Sequence, residues 1–545
     1  MPDRQSPRRL RCLLAAVATV AIATTGSPVG AQEAASPRLR TIVESGAATA
    51  PLLDDDRQAL ERFYSGRGFR PAWTDARARE TAVVALSAAG AEGLSPTAYG
   101  APTQSAPWPA NAAAAAERDA VLTAGVLRYM RDVHLGRIRP GEVYDDVELP
   151  RPSYDAAAAL ARALDRGNLA EVLAALPPPH VEYRRLKAAL ATYRAVDAAG
   201  GWPRVPPGPT FDAFGGDPRL PTLARRLAIE DKDVAIDVDP TALDTAIRRY
   251  QTNNGLVPDG RVGARTIAAL NVPAARRVEQ IRANLERWRW LPPELERRRV
   301  MVNVAGAELA AIRDGSVIVE SRVIVGDRRH HSPMLRTVAS GLTVNPPWNV
   351  PPSIARNEIV PRLRRDPGYL RAEDMVVLNG PPGDPYGQTI DWRHAPASGY
   401  GFRQLPGPRN ALGTIKVEMA NRFNVYLHDT PAKTLFALPD RNLSHGCIRV
   451  EGILPLASFL LGDSGDGDIS SLEAAIARGA TIHLAARAAV PVYLVYWTAV
   501  ANADGSVGFR DDAYQRDPPL IEALGRDSIR QTSMGTSIGC RHNVG

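Results

Sequence analysis

Cys447 stands in Ser444-His445-Gly446-Cys447-Ile448-Arg449, and a second histidine, His428, lies upstream in Tyr426-Leu427-His428-Asp429-Thr430. A cysteine framed by histidine and glycine, with a further histidine that folding could bring near, is the pattern of a thiol nucleophile, and the chemistry open to it is acyl transfer. A thiol with an ordinary pKa of about 8.5 is mostly protonated at neutral pH, so it needs a base or a field that favours thiolate. His428 and His445 are the candidates. His445 is two residues from Cys447 and would share its face in an extended strand, whereas His428 would arrive from a neighbouring strand. Gly446 allows a tight backbone conformation in which amides near Cys447 point at a developing oxyanion. Arg449, two residues further on, would hold a carboxylate or fix a loop.

Blander readings compete. A single buried cysteine is usually a small hydrophobe, and a lone histidine is usually structural; the combination of the two stretches outweighs both. A zinc site from His428, His445 and Cys447 has suitable ligands but lacks the tight spacing of structural zinc sites, so no metal and no cofactor is expected. The other cysteines are Cys12, near the N-terminus, and Cys540, in a polar Gly/Ser/Thr tail. A Cys447–Cys540 bridge would silence the nucleophile, so Cys447 is expected to be free.

Elements of several kinds must position these residues. At 545 residues the chain exceeds one core. Leu60, Phe63 and Tyr64 fall on one helical face, and Ala- and Leu-rich amphipathic patterns from about Asp56 to Leu169 predict a mainly helical region. Arg70-Pro71-Ala72-Trp73 interrupts it, and the Pro-rich stretches Leu176–His180 and Trp202–Pro209 are expected to be loops. Residues 32–55 read as a mobile lead-in. Between 240 and 271 a compact helical hairpin is expected: Asp239-Pro240 opens a helix with Leu243, Ile247 and Tyr250 at helical spacing. Asn254-Gly255-Leu256 ends it, Asp259-Gly260 turns, and a second helix carries Thr266, Ile267 and Leu270. From Val300 the period changes to two, with Val300, Val302 and Val304, then Val317, Val319, Val323 and Val325, predicting strands. Residues 351–405, rich in charge, Pro and Gly, are too long for a hairpin loop and are expected to form a lid over the site.

The net charge is +7, of which Arg4, Arg8, Arg9 and Arg11 against Asp3 contribute three. What remains suits an anionic polymer but is no dense basic stripe, so a nucleic-acid partner is not expected. Those arginines precede an apolar run, Leu13 to Ala23, and Val29-Gly30-Ala31 offers small residues to a signal peptidase. The run is short for a bilayer. Residues 1–31 are therefore expected to be a signal peptide that delivers the chain to an oxidising compartment; left uncleaved, it would anchor the chain in the membrane.

His428-Asp429-Thr430, thirteen intervening residues, then Ser444-His445-Gly446-Cys447 resembles the signature of the L,D-transpeptidase (YkuD-type) catalytic domain. Asn345-Pro346-Pro347-Trp348-Asn349-Val350-Pro351-Pro352-Ser353-Ile354-Ala355, Asp366-Pro367-Gly368-Tyr369-Leu370, Arg403-Gln404-Leu405-Pro406-Gly407 and Asn410-Ala411-Leu412-Gly413 resemble the large periplasmic murein enzymes of the YcbB type. The 240–271 hairpin looks like the common peptidoglycan-binding repeat, and Phe69-Arg70-Pro71-Ala72-Trp73 resembles the scaffold domain of the same enzymes.

The resemblance implies a multidomain α+β chain: signal peptide 1–31, mainly helical N-terminal scaffold 32–235, small helical peptidoglycan-binding domain 236–272, linker helix 273–297, β-rich catalytic domain 298–487 with the lid at about 351–405, and C-terminal extension 488–545 with a disordered tail. It implies Cys447 as nucleophile and His428 as its base, oriented by the backbone carbonyl of Asp429, where the wider family has a small residue. It further implies oxyanion amides at Gly446 and Cys447, His445 lining the site, Arg449 holding the pocket or stem, and Trp348, Asn349, Asn410 and Ser444 toward substrate. The implied activity is periplasmic cross-linking of tetrapeptide stems of peptidoglycan, with acylation of Cys447 by carbapenems. D,D-carboxypeptidases or glycan polymerases are the implied partners. Alternatives are L,D-carboxypeptidase activity, attachment of a protein or D-amino acid to the stem, and a non-catalytic wall-binding scaffold.

Overall fold

The computed structural model describes residues 29–46, 54–101, 106–231, 233–234, 239–462 and 467–526. Most of the segment expected to be a signal peptide, with Cys12, and the tail from 527 on, with Cys540, lie outside the described residues.

The N-terminal part is helical. Helix Asp54–Gly66 buries Leu60, Phe63 and Tyr64, and helix Ala112–Leu135 runs through the centre, its first turn capped by Asn111, whose side chain accepts from the amides of Ala113 and Ala114. Trp73 is buried against it and donates its indole N–H to Thr123 Oγ1 at 2.8 Å. The lead-in expected over 32–55 is instead helical up to Ser45, within a helix spanning Val29–Ser45. Leu39, Ile42 and Val43, at i, i+3 and i+4, are buried, and the helix packs on Ala112–Leu135. Burying such a stripe contributes about 1.5–3 kcal/mol per aliphatic side chain, enough to order a short helix.

The hairpin follows its sequence closely. Helix Pro240–Asn253 is capped by Asp239, whose carboxylate accepts from the amides of Thr241 and Ala242, and helix Ala264–Leu270 follows. Leu243, Ile247, Tyr250, Ile267 and Leu270 share one core. Gln251, buried, closes the turn: its amide donates to the Arg261 carbonyl and accepts from the Gly260 amide. Helix Ala274–Arg289 then leads into the β region and packs on helix Val181–Ala198.

The β region is a closed sheet. Its strands are β1 (Val147–Glu148), β2 (Arg298–Asn303), β3 (Glu308–Arg313), β4 (Ser316–Gly326), β5 (Met334–Val344), β6 (Trp348–Asn349), β7 (Met375–Val377), β8 (Phe402–Gln404), β9 (Ile415–Met419), β10 (Leu427–His428), β11 (Asn442–Ser444), β12 (Ile448–Val450), β13 (Ile482–Val495), β14 (Ala499–Ala501) and β15 (Val507–Phe509). The order β5-β13-β2-β3-β4-β12-β10-β9 returns to β5 through the β5–β9 pair, so these strands form a ring. Val300, Val302, Val323, Val325, Leu342, Val344, Val417, Leu427, Ile448 and Val450 belong to one core, and the apolar helix Ile453–Leu461 packs against β4, β5, β9 and β13. By strand alternation the neighbours of these residues face outward. β13 pairs with β5 and β2 along most of its length and runs through the expected boundary at 487/488, so residues 488–495 belong to the catalytic sheet. The register of β13 against β5 shifts by a bulge between Ala485 and Val490, and pairing resumes beyond it.

The insertion between β5 and β9 folds around its own core of Ile359, Val360, Leu363, Leu370, Trp392 and Phe402. It holds the three-stranded sheet β6-β8-β7 and a run of short helices that begins with a π-helical turn, Ala355–Ile359.

Candidate active site

β10 and β12 are parallel neighbours with His428 opposite Arg449, and Tyr426 accepts the Ile448 amide at 2.9 Å. Leu427 and Ile448 face the core, so His428 and Arg449 share the outer face, with Tyr426 just before β10 and Cys447 in the turn that leads into β12. On the other side of β10, His428 is opposite Lys416 of β9. Backbone register thus assembles the site, and its chemistry stands on a rigid barrel wall.

His428 is buried, and its Nδ1–H donates to the carbonyl oxygen of Asp429 at 2.5 Å. This leaves Nε2 with its lone pair. Burial, then the Arg449 guanidinium, pushes the imidazole pKa down to about 3, which favours the uncharged ring at neutral pH. Asp429 is fixed in turn. Its carboxylate accepts from Thr414, through the amide at 3.0 Å and the hydroxyl at 2.8 Å, and pairs with Lys433. Gly413 makes room for this carboxylate: its φ is +60°, and a Cβ there would lie 2.6 Å from Asp429 Cβ. The aspartate that departs from the wider pattern therefore belongs with Gly413-Thr414.

Cys447 forms no disulfide among the described residues and is partly exposed. Its Sγ lies 3.9 Å from the Asn424 carbonyl, and no hydrogen bond joins it to His428. Burial pushes the thiol pKa up; Tyr426, then the charges of Lys416 and Arg449, oppose that rise without cancelling it. Both shifts favour the uncharged forms, a thiol at Cys447 and a neutral imidazole at His428. The Tyr426 ring sits edge-on to His428, centroids 5.6 Å apart, and its hydroxyl interacts with Cys447 and the Trp348 indole.

Several expectations change in the fold. His445 does not share a strand face with Cys447, because residues 445–447 form a turn between β11 and β12 with Gly446 at φ +107°. Its exposed side chain instead reaches the insertion, where Nε2 meets Glu358 Oε1 at 2.6 Å, and its ring lies 4.8 Å from that of His330. The Gly446 amide donates to Ser444 Oγ at 3.1 Å, so in this conformation it is taken; the Cys447 amide makes no hydrogen bond among the described residues and is the one open to an oxyanion. Ser444 is buried and also donates to the Cys447 carbonyl at 2.6 Å, so its hydroxyl staples the turn. Asn410 is likewise spent inside its loop, donating to the Leu405 carbonyl at 3.0 Å and accepting from the Leu412 amide at 2.8 Å. Trp348 is half-buried at the edge of the insertion, and Asn349 is exposed and accepts from Arg403 Nε at 2.8 Å. Arg449 is partly covered and makes no hydrogen bond or ion pair among the described residues; its positive charge faces Cys447 and His428.

Sequence reasoning missed the supports of the turn. Ser332, buried, donates to the Gly446 carbonyl at 2.7 Å, and Tyr514 donates to the Gly326 carbonyl at 2.5 Å while accepting the Ser332 amide. These partners are 114 and 182 residues apart in the chain, a separation no local pattern reports. Tyr426 and Lys416 could have been found, since each sits at i±2 from an outward residue of a predicted or neighbouring strand. Among the described residues no group of histidine, cysteine, aspartate and glutamate has the arrangement of a metal site.

Comparison with known proteins adds a family context. Residues 297–480 match the family described as the L,D-transpeptidase catalytic domain, residues 230–270 that of the "Putative peptidoglycan binding domain", and residues 58–190 that of the scaffold domain. A Haemophilus influenzae protein named "Putative L,D-transpeptidase" is 34% identical over 248 residues, which are 45% of this chain and 50% of that protein. The chain thus spans about half the length of this curated relative.

Proposed function

We propose that this multidomain α+β chain, which carries an L,D-transpeptidase catalytic domain and a peptidoglycan-binding domain, is an exported enzyme that cross-links the third residues of neighbouring peptidoglycan stems. The observation that carries the reading is the placement of Cys447, in the turn that leads directly into β12, next to the strand pair that holds a carbonyl-oriented His428. Cys447 attacks the carbonyl of the donor's third residue as its proton passes to His428 Nε2. The amide bond to the terminal D-alanine breaks, and the imidazolium gives that proton to the departing amine. The side-chain amine of an acceptor's third residue then attacks the thioester, a new amide forms, and the C–S bond breaks. The proton lost by the amine returns by way of His428 to the thiol. No nucleotide is consumed, because the thioester conserves the acyl energy.

The surroundings suit this sequence of steps. The Cys447 amide is open to the oxyanion, and the Arg449 guanidinium offers a partner for the stem's carboxylate. The insertion over the turn helps keep water from the thioester, and the hairpin domain raises the local concentration of a polymeric substrate. We place the enzyme in the periplasm, with D,D-carboxypeptidases as suppliers of tetrapeptide stems, and carbapenems as acylating inhibitors of Cys447. Intact-mass spectrometry of the protein with a disaccharide-tetrapeptide tests the intermediate. The expected adduct is the donor less D-alanine, present in wild type and absent from Cys447→Ala; free tripeptide without dimer would make water the acceptor, and no adduct or product would overturn the reading.

A further inference from the structure

The polar outer face does not stop at the catalytic pair. One row in register runs from Arg449 through His428 to Lys416, Thr343 and His483, across five strands. Beside this row lie Glu418 on β9, Tyr426 just before β10 and Cys447 in the turn that leads into β12. Lys416 and Glu418 are i and i+2 on one strand, and Lys416 Nζ meets Glu418 Oε2 at 2.9 Å. Lys416 also lies 4.9 Å from the centroid of the Tyr426 ring, and Glu418 accepts from the Thr343 hydroxyl. The two charged side chains remain 26% and 37% exposed, so a cation and an anion stand side by side and open to solvent.

Their reach from the nucleophile is set by the sheet. With strands about 4.8 Å apart, β9 stands roughly 10 Å from β12. A donor acylated on Cys447 has its α-carbon next to the thioester, and three methylenes lead from there to the far carbon of a diamino acid. At about 1.5 Å per bond that far carbon lies roughly 6–7 Å from the acyl carbon, and the Lys416 and Glu418 side chains cover the remainder. Resting on the function proposed above, we infer that Lys416 and Glu418 form the subsite for the far end of the donor's third residue, the carbon that bears both an ammonium and a carboxylate. Lys416 meets the carboxylate and Glu418 the ammonium, exchanging part of their mutual contact for two contacts with the substrate. A site that offers paired partners disfavours analogues that lack one of them, because a charged group is then left unmatched.

A surface ion pair without such a role would be functionally silent, so the test is a ratio. Initial rates are measured for the full chain with three tetrapeptide donors that differ only at the third residue: diaminopimelate with a free carboxylate, its carboxamide, and lysine. Wild type is expected to favour the free carboxylate over the other two by roughly ten- to a hundredfold in kcat/KM, mostly through KM. In Lys416→Met the preference falls to within about twofold. Any general effect of the lost charge on Cys447 lowers all three donors alike and cancels in the ratio. Unaltered preference in Lys416→Met, or none in wild type, overturns the subsite while leaving the transpeptidase reading intact. A wild-type protein that is alkylated at Cys447 by iodoacetamide yet acts on none of the three donors overturns the function and the subsite together.

Discussion

The two flanks of Cys447 are built differently. On the strand side, Tyr426, His428, Lys416 and Arg449 stand on β9, β10 and β12, whose opposite faces are sealed into the barrel core. On the other side the insertion has its own core and meets the catalytic turn through His445 and Glu358, a partly exposed pair. The first flank fixes groups to within a rotamer; the second can be displaced at the cost of few contacts. The difference suggests a division of labour, with bond-making on the wall and access controlled from the insertion.

The strand flank should be the costlier to damage. His428→Gln removes the base while keeping a polar side chain, and transfer is expected to fall by about 10²–10⁴, read as product formation under saturating donor; a loss of only a few-fold would remove His428 from the proton path. Gly413→Ala strikes the same histidine from behind. A Cβ at φ +60° pressing on Asp429 is expected to cost about 1–3 kcal/mol in thermal or denaturant unfolding and to lower activity in parallel; an unchanged midpoint would show that the Asp429 loop yields.

The resting electrostatics offer a subtler break. A thiol pushed up by burial, beside an imidazole that stays neutral, carries little thiolate at neutral pH, so iodoacetamide alkylation of Cys447 should still be rising at about pH 9. A plateau below pH 7 would mean a preformed thiolate–imidazolium pair. The smallest effect is expected on the insertion flank. Glu358→Gln leaves a hydrogen bond but removes the charge, and should change the partition of the thioester between amine and water only about two- to fivefold. A loss as large as that of His428→Gln would erase the contrast between the flanks.

The elements that sequence periodicity revealed are those whose contacts are local. The hairpin over 240–271 closes through Asp239, Gln251 and Gly260, all within a few turns of one another, and Leu60, Phe63 and Tyr64 mark their helix by spacing alone. The Cys447 and His428 stretches stood out by composition. The rest depends on pairing across long separations. Closure of the sheet through β5–β9, the continuation of β13 past residue 487, and the suspension of Gly446 from Ser332 are set by register, which local patterns do not encode. Ser444 and Asn410, which the resemblance implies lie toward substrate, bond within their own turns, a pairing that local sequence does not reveal. His445 leaves the face of Cys447 because the left-handed backbone at Gly446, φ +107°, turns the chain between them.

The account's central claim is best tested by mass spectrometry of muropeptides after incubating wild type and Cys447→Ala with a disaccharide-tetrapeptide. The account predicts a dimer joined through two third residues, made by wild type and absent with Cys447→Ala. A dimer formed equally by both proteins, or by neither while Cys447 remains open to alkylation, would contradict it.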